Sequence, residues 1–161
     1  MDKSTPSHTS PPGTQPIPQA RGAMENSYAQ SLLGLADLPK AELQRLLWRA
    51  RELYPAALGK SQSLDLLSGR TIATAFFEPS TRTKLSFTLA AQRLGAAVID
   101  LAASGSSISK GESMVDTART LEAMGVDVIV MRTTQAGAAN HVARAVRVPT
   151  INAGDGKHAH P

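Results

Sequence analysis

The sequence contains no cysteine, and only six of its 161 residues are aromatic. Without thiols the chain cannot form a disulfide scaffold, an iron–sulfur site, a cysteine-ligated zinc finger or a cysteine nucleophile. The scarcity of aromatic residues argues against a surface on which nucleic-acid bases stack. No apolar run approaches the roughly 18–20 residues that span a bilayer, and the first 23 residues contain no apolar stretch typical of a secretory signal. These absences predict a cytoplasmic protein that is not inserted in a membrane.

The chain also has only a small excess of positively charged over negatively charged residues. The chain has 17 Lys and Arg against 13 Asp and Glu, which gives a formal net charge of +4. That imbalance is too weak to indicate a nucleic-acid partner by itself. The length fits one domain, alone or with a tail, because domains commonly have about 100–200 residues. A chain of this size can bury a core without a disulfide or a metal.

The amino-terminal segment differs in composition from the rest of the chain. Five of the ten prolines fall within the first eighteen residues, among Ser, Thr, Gly and Gln. Such a segment buries too little apolar surface to offset the entropy lost on ordering. We therefore predict a disordered tail over residues 1–30 and a folded domain over residues 31–161. The tail is either a plain solvated segment or a proline-rich ligand for another protein.

The remainder alternates between helical and strand patterns. Apolar residues recur at helical spacing in a first segment, at Leu43, Leu46, Leu47, Ala50, Leu53, Tyr54 and Ala57. Short apolar runs then predict strands at Thr71–Phe77, Ala96–Leu101 and Asp127–Arg132, with a fourth strand from Pro149. The segments between them predict helices at Thr81–Leu94, Glu112–Met124 and Gly137–Val146. Because the strands are apolar throughout, both sheet faces should be covered, so we predict a three-layer α/β/α domain with a four-stranded parallel sheet.

In such a sheet, ligands bind beyond the carboxyl ends of the strands, which directs attention to the loops there. The first of these loops contains Ser80, Thr81, Arg82 and Thr83, at the start of a predicted helix. Free backbone N–H groups, hydroxyls and a guanidinium together favour a phosphate or another tetrahedral anion. Ordinary helix capping by Ser80 or Thr81 is the alternative, but it explains only one hydroxyl.

The other loops are less specific by themselves. The second contains Lys110 before Gly111, an order that does not fit a phosphate-binding Gly-Lys-Ser/Thr loop. The third begins at Arg132, which either reaches the same crevice or extends into water. The fourth carries His158 and His160, and without a supporting set of carboxylates we expect an imidazole to donate to a carbonyl oxygen rather than to bind a metal.

Taken together, these motifs resemble a known family. The run FFEPSTRTKLSF at Phe76–Phe87 is similar to the carbamoyl-phosphate signature of the aspartate and ornithine carbamoyltransferases. SKGES, DTARTLEAMGVDVIVMR and NAGDGKHAHP follow in the family's order and spacing, so the resemblance covers about residues 30–161. The absence of a lysine between Glu78 and Pro79, together with the NAGDG run, resembles the aspartate branch.

The resemblance implies roles for individual residues. Ser80, Thr81, Arg82 and Thr83 match the phosphate-binding run, Arg132 matches an arginine that contacts carbamoyl phosphate, and His160 matches the histidine that hydrogen-bonds the carbonyl oxygen. Ser106 and Lys110 match a loop that the neighbouring subunit of a trimer contributes. Arg82, Thr83, Arg132 and His160 would be the catalytic residues in direct carbamoyl transfer, with no metal and no cofactor.

The resemblance also implies the substrates, carbamoyl phosphate and L-aspartate, and an early step of pyrimidine biosynthesis. In the family a second domain, absent from these 161 residues, binds the amino acid, so we expect this polypeptide alone to be inactive. Two alternatives stay open: a non-catalytic half-enzyme that binds carbamoyl phosphate or supports another subunit, and an ornithine-type enzyme. Whether a regulatory chain or a dihydroorotase accompanies the enzyme is also open, whereas neither nucleic acid nor a membrane is an expected partner.

Overall fold

A computed structural model of the chain describes residues 31–36, 38–59, 64–102 and 113–161. The predicted tail and the Ser106–Lys110 segment therefore lie outside the described residues. The described helices are α1 (Lys40–Ala57), α2 (Thr81–Arg93), α3 (Met114–Ala123) and α4 (Ala138–Ala145), with a 3-10 turn at Asp65–Leu67. The strands are β1 (Thr71–Phe76), β2 (Ala97–Ala102), β3 (Val128–Thr133) and β4 (Thr150–Asp155). Each predicted helix and strand is confirmed, with boundaries that differ by one or two residues.

The four strands form one parallel sheet in the order β2-β1-β3-β4. In the central pair, Thr74 of β1 lies beside Val130 of β3, and on its other side Thr74 pairs with Asp100 of β2. All four carboxyl ends consequently meet at one edge of the sheet. The loops after β1, β3 and β4, which the sequence singled out, lie along that edge.

Both faces of the sheet are covered, as the apolar strands predict. One core includes Ile129 and Met131 of β3 with Leu121 of α3 and Val142 of α4. The other face carries a second cluster, in which Val130 packs with Phe76 of β1 and Ala91 of α2. Successive β3 side chains enter opposite cores because side chains alternate across a strand. The three-layer α/β/α prediction is therefore confirmed.

Helix α1 has the predicted helical form, but its apolar side does not pack into either core. Of its residues only Ala56 is buried, whereas Leu47, Trp48 and Tyr54 are 63%, 61% and 60% exposed. The helical spacing of apolar residues therefore predicted the helix correctly. It did not predict that the apolar side chains of α1 are exposed in the described part of the chain. No helix in this part of the chain combines the length and the apolarity needed to cross a membrane.

A short amino-terminal stretch extends the sheet beside β4, which the sequence did not predict. The backbone N–H of Leu32 donates to the carbonyl of Thr150 at 3.0 Å, and the N–H of Asn152 donates to the carbonyl of Leu32 at 2.9 Å. Ser31 Oγ accepts a hydrogen bond from the Thr150 N–H at 3.0 Å. This parallel bridge satisfies backbone groups of β4, which would otherwise be an open edge.

Candidate functional site

The turn between β1 and α2 leaves its polar groups available. Ser80 is the residue that precedes the helix, but its side chain makes no capping hydrogen bond. The first-turn N–H groups of α2 have no intrahelical partners, as at every helix start. Thr81 and Arg82 are exposed, and Thr83 is partly buried. Ordinary capping by Ser80 thus does not account for this turn. It combines unpartnered helix-start N–H groups, hydroxyls and a guanidinium, which are groups that can bind an anion.

An ion pair fixes the start of α2 against the sheet. Lys84 Nζ lies 2.6 Å from a carboxylate oxygen of Asp100 on β2. The fully buried Thr74 donates its hydroxyl to the other oxygen of Asp100 at 3.1 Å. Sequence reasoning missed Asp100, because a single acidic residue within a strand gives no local sign of its partner.

Arg132 lies in β3, and its side chain at the same edge contacts β4 and the loop that follows β1. Its Nη1 donates to the carbonyl of Ala153 on β4 at 2.9 Å, and its Nη2 lies 3.6 Å from Glu78 Oε1 in the loop after β1. Its Nε is buried and has no hydrogen-bond partner among the described residues. The guanidinium of Arg132 therefore lies at the carboxyl edge of the sheet, between β4 and the loop after β1. A contact of Arg132 with a ligand stays a prediction.

Gly154 makes room for this guanidinium. Its φ is +118°, and an added Cβ would lie 2.7 Å from Arg132 Nη1. An L side chain at this position would therefore be strained and would also push Arg132 away. In the NAGDG run, glycine at position 154 is therefore required because the Arg132 guanidinium lies close to the backbone of β4.

Asp155, at the end of β4, is the most heavily hydrogen-bonded carboxylate of this edge. It is 1% exposed. It accepts from the Gly137 N–H at 2.7 Å, from the Ala159 N–H at 3.0 Å and from Asn152 Nδ2 at 3.1 Å. Nδ1 of His158 lies 3.1 Å from its Oδ2. No role was predicted for Asp155. The run Asn-Ala-Gly-Asp-Gly, which is rich in turn-forming residues, could have indicated a structured turn at this position.

Burial raises the pKa of Asp155, whereas hydrogen bonds from Asn152, Gly137, Ala159 and His158 lower it. The hydrogen bonds prevail, so the pKa lies below the ordinary value of 3.8. The group is therefore a buried carboxylate at neutral pH, compensated by its four donors.

The two histidines of the last loop have different environments. His158 contacts Asp155, while His160 is exposed and its Nδ1 lies 3.1 Å from the carbonyl oxygen of Pro161. In the described part of the chain no hydrogen bond joins His160 to Arg132 or to the Ser80–Thr83 turn. Within the same residues, no three His, Asp or Glu side chains form a group that could hold a metal ion. Ser106 and Lys110 lie outside the described residues.

The chain is similar in sequence to a family of known proteins. The family profile described as "Aspartate/ornithine carbamoyltransferase, carbamoyl-P binding domain" matches residues 30–161. The chain belongs to this family. As a member of the aspartate/ornithine carbamoyltransferases, it places the family's signature run at the β1–α2 turn described above.

Similar family members are named as aspartate carbamoyltransferases. The catalytic subunit from Solibacter usitatus is 52% identical over 130 residues, which is 81% of this chain and 43% of that protein. The solved catalytic subunit of M. jannaschii aspartate transcarbamoylase is 42% identical, with a TM-score of 0.74 over 81% of this chain and 42% of that one. The Trypanosoma cruzi enzyme, solved with carbamoyl aspartate and phosphate, is 35% identical, with the same TM-score and coverage. The chain thus spans about two-fifths of the length of these relatives.

Proposed function

We propose that this chain provides the carbamoyl-phosphate-binding domain of an aspartate carbamoyltransferase. In this role it takes part in transferring the carbamoyl group from carbamoyl phosphate to L-aspartate, giving N-carbamoyl-L-aspartate and phosphate for pyrimidine biosynthesis. Residues 31–161 are the domain and residues 1–30 a tail. One observation carries the proposal: Arg132 Nη2 lies 3.6 Å from Oε1 of Glu78, so the end of β3 contacts the β1–α2 loop.

The site has the donors that the phosphate group requires. Ser80, Thr81 and Thr83 supply hydroxyls at a helix start whose backbone N–H groups are free, and Arg82 supplies a charged fork. Arg132 adds a second guanidinium with an unpartnered, buried Nε. Two guanidinium groups and a helix start at one edge suit a dianion better than a neutral ligand.

The proposed reaction is direct acyl transfer. The amine of L-aspartate attacks the carbonyl carbon and the new carbon–nitrogen bond forms. The bond to the bridging phosphate oxygen then breaks, and the attacking nitrogen loses a proton to the departing phosphate. Arg82, Thr83, Arg132 and His160 stabilise the negative charge on the oxygens of the tetrahedral species. The Ser80–Thr83 turn retains the departing phosphate, and holding both groups in place lowers the entropic barrier.

The assembly follows from the family resemblance. We propose a cytoplasmic homotrimer in which Ser106 and Lys110 of one subunit complete the site of its neighbour. Lys110→Ala should then weaken carbamoyl-phosphate binding only in assembled protein, which sedimentation at several concentrations combined with binding measurements would resolve. Equal weakening in dissociated chains would contradict a site shared between subunits.

Calorimetric titration of carbamoyl phosphate into the purified chain tests the function. Arg82→Ala and Arg132→Ala should each weaken binding by about tenfold or more, because a charge-assisted hydrogen bond contributes about 1.5–3 kcal/mol. Arg70→Ala is the matched control: Arg70 lies just before β1, at the opposite edge of the sheet, where it pairs with Asp127 at 2.9 Å. Equal losses in all three variants would exclude this site.

A further inference from the structure

We propose that Asp155 is a positioning residue for His160: its buried carboxylate fastens the loop that carries His160 to the turn that follows Arg132. This inference rests on the proposed function, in which both Arg132 and His160 contact the carbamoyl group. Asp155 itself is 1% exposed, so its side chain is not accessible to a ligand. Its effect must therefore pass through the groups that it holds.

The two oxygens of Asp155 serve two different loops. Oδ1 accepts from the Ala159 N–H at 3.0 Å, in the loop after β4. Oδ2 accepts from the Gly137 N–H at 2.7 Å, at the end of the loop after β3. One carboxylate thus connects the two segments that follow the strands bearing Arg132 and Asp155.

Backbone hydrogen bonds close the same loop around this carboxylate. The Asp155 N–H donates to the carbonyl of Ala159 at 3.1 Å, and the His158 N–H donates to the carbonyl of Asp155 at 3.2 Å. The Gly156 N–H donates to the carbonyl of Thr133 at 2.8 Å. Ala159 is thereby fixed at both its N–H and its carbonyl. Because consecutive Cα atoms are about 3.8 Å apart, this closed turn keeps the Cα of His160 within that distance of the fixed Ala159.

Asn152 orients the carboxylate from the opposite side. Its Nδ2 lies 3.1 Å from Asp155 Oδ1 and 3.0 Å from the carbonyl of Leu33, while its Oδ1 accepts the Gly154 N–H at 2.9 Å. Asn152 is 2% exposed. A buried network whose members are all partnered has one preferred arrangement, which is what a positioning function requires.

The test compares two ligands, carbamoyl phosphate and inorganic phosphate, in a double-mutant cycle on the 161-residue chain. Asp155→Asn replaces one acceptor oxygen by a donor at nearly constant volume. We expect it to weaken carbamoyl-phosphate binding about tenfold and inorganic phosphate binding less than about twofold, since phosphate is held at the Ser80–Thr83 turn. His160→Ala should give the same selective loss, and the double variant no further loss.

A merely structural role would weaken both ligands equally or add to the effect of His160→Ala, and either result would overturn the inference. If Asp155→Asn does not fold, His158→Ala replaces it in the test. His158→Ala is milder because the His158 side chain is exposed and provides only one of the hydrogen bonds to Asp155. It should weaken carbamoyl phosphate two- to threefold and should also add nothing to His160→Ala. Unchanged affinity for carbamoyl phosphate in His158→Ala would count against the inference.

Hydrogen exchange separates this inference from the proposed function. If wild-type protein binds carbamoyl phosphate no more tightly than phosphate, the proposed function is wrong. Even then, if Asp155 joins the two loops, Asp155→Asn (or His158→Ala in its place) should speed amide hydrogen exchange at both Ala159 and Gly137. Faster exchange at only one of these amides would refute the connection between the two loops.

Discussion

The β1–α2 turn and the loop after β4 lie at the same edge of the sheet but use their polar groups in opposite ways. In the turn, the Ser80 side chain makes no capping hydrogen bond, and Arg82 is exposed. In the loop, the Asp155 carboxylate is buried and accepts hydrogen bonds from the backbone N–H groups of Gly137 and Ala159. The first segment leaves its donors without internal partners, whereas the second uses its polar groups to maintain its own conformation.

This difference suggests a division of labour in the site. An anion binds most readily to groups without internal partners, because an internal hydrogen bond that has to break opposes binding. Arg132 is proposed to bind with the donors that its contacts with Ala153 and Glu78 leave over. Groups that hold a reactive side chain in place must be partnered, because unpartnered buried groups lower stability. Substitutions in the turn should therefore change binding with little effect on stability. Substitutions in the loop should lower stability, and they should change binding only through the residues that the loop positions.

The largest effect on stability is expected from Asp155→Ala. It leaves Asn152 Nδ2 and the N–H groups of Gly137 and Ala159 without their acceptor, so the free energy of unfolding should fall by about 3 kcal/mol. Urea unfolding followed by circular dichroism measures this change. Arg82→Ala, in the turn, is the control and should stay within about 0.5 kcal/mol of wild type. A comparable loss in both variants would remove the distinction between the two segments.

Gly154→Ala should combine the two kinds of effect. The residue has a φ of +118°, and the new Cβ would meet the Arg132 guanidinium. We expect stability to fall by about 1–2 kcal/mol, and carbamoyl-phosphate binding to weaken about tenfold, because Arg132 has to move. Calorimetry and urea unfolding together separate these losses.

Gly69→Ala is the matched control for that variant. Gly69 also has a positive φ, +75°, but an added Cβ there has nothing within 4 Å. It should lose stability without losing affinity. A loss of affinity in Gly69→Ala would show that backbone strain alone, rather than displacement of Arg132, impairs binding.

Two helix starts provide a smaller test of the same comparison. Ser113 accepts a hydrogen bond from the Asp116 N–H at 3.1 Å in a complete capping box, whereas Ser80 makes no such bond. Ser113→Ala should lower the free energy of unfolding by about 1 kcal/mol, and Ser80→Ala by less than about 0.5 kcal/mol. Ser80→Ala should instead weaken phosphate binding. The reverse order of stabilities would mean that Ser80 is an ordinary cap.

The smallest effect concerns pH, because burial and hydrogen bonding act in opposite directions on Asp155. Its pKa in the folded protein lies below the ordinary 3.8, so the ionised carboxylate stabilises the fold above that pH. This contribution is lost as the pH falls below 3.8 and through the folded-state pKa. The unfolding free energy of Asp155→Asn should therefore change less than that of wild type between about pH 5 and pH 3.

Asp116→Asn serves as the control for the acid titration. The pKa of Asp116 is also lowered, first by the hydrogen bond from the Ser113 side chain, so this variant reports a capping carboxylate outside the loop. Identical pH dependence in wild type and Asp155→Asn would show that Asp155 contributes nothing to acid sensitivity.

Much of the fold and part of the site could be predicted from local patterns. Apolar runs identified the strands, since a strand buried on both faces must be apolar throughout. The Ser80–Thr83 run could be recognised because its groups are adjacent in sequence at a helix start. Local patterns made no prediction where the partner is distant, as for the contact of Asp100 with Lys84, the contact of Glu78 with Arg132 and the burial of Asp155.

By itself, then, the sequence determined the order of helices and strands, the parallel sheet and the run of hydroxyls and arginine at the start of α2, because each depends on residues close together along the chain. Only the tertiary structure decided that the apolar side of α1 remains exposed, that Arg132 rests against Gly154, and that Asp155 joins two loops. Those outcomes depend on which distant segments meet, and on whether a polar group finds its partner when it is removed from water.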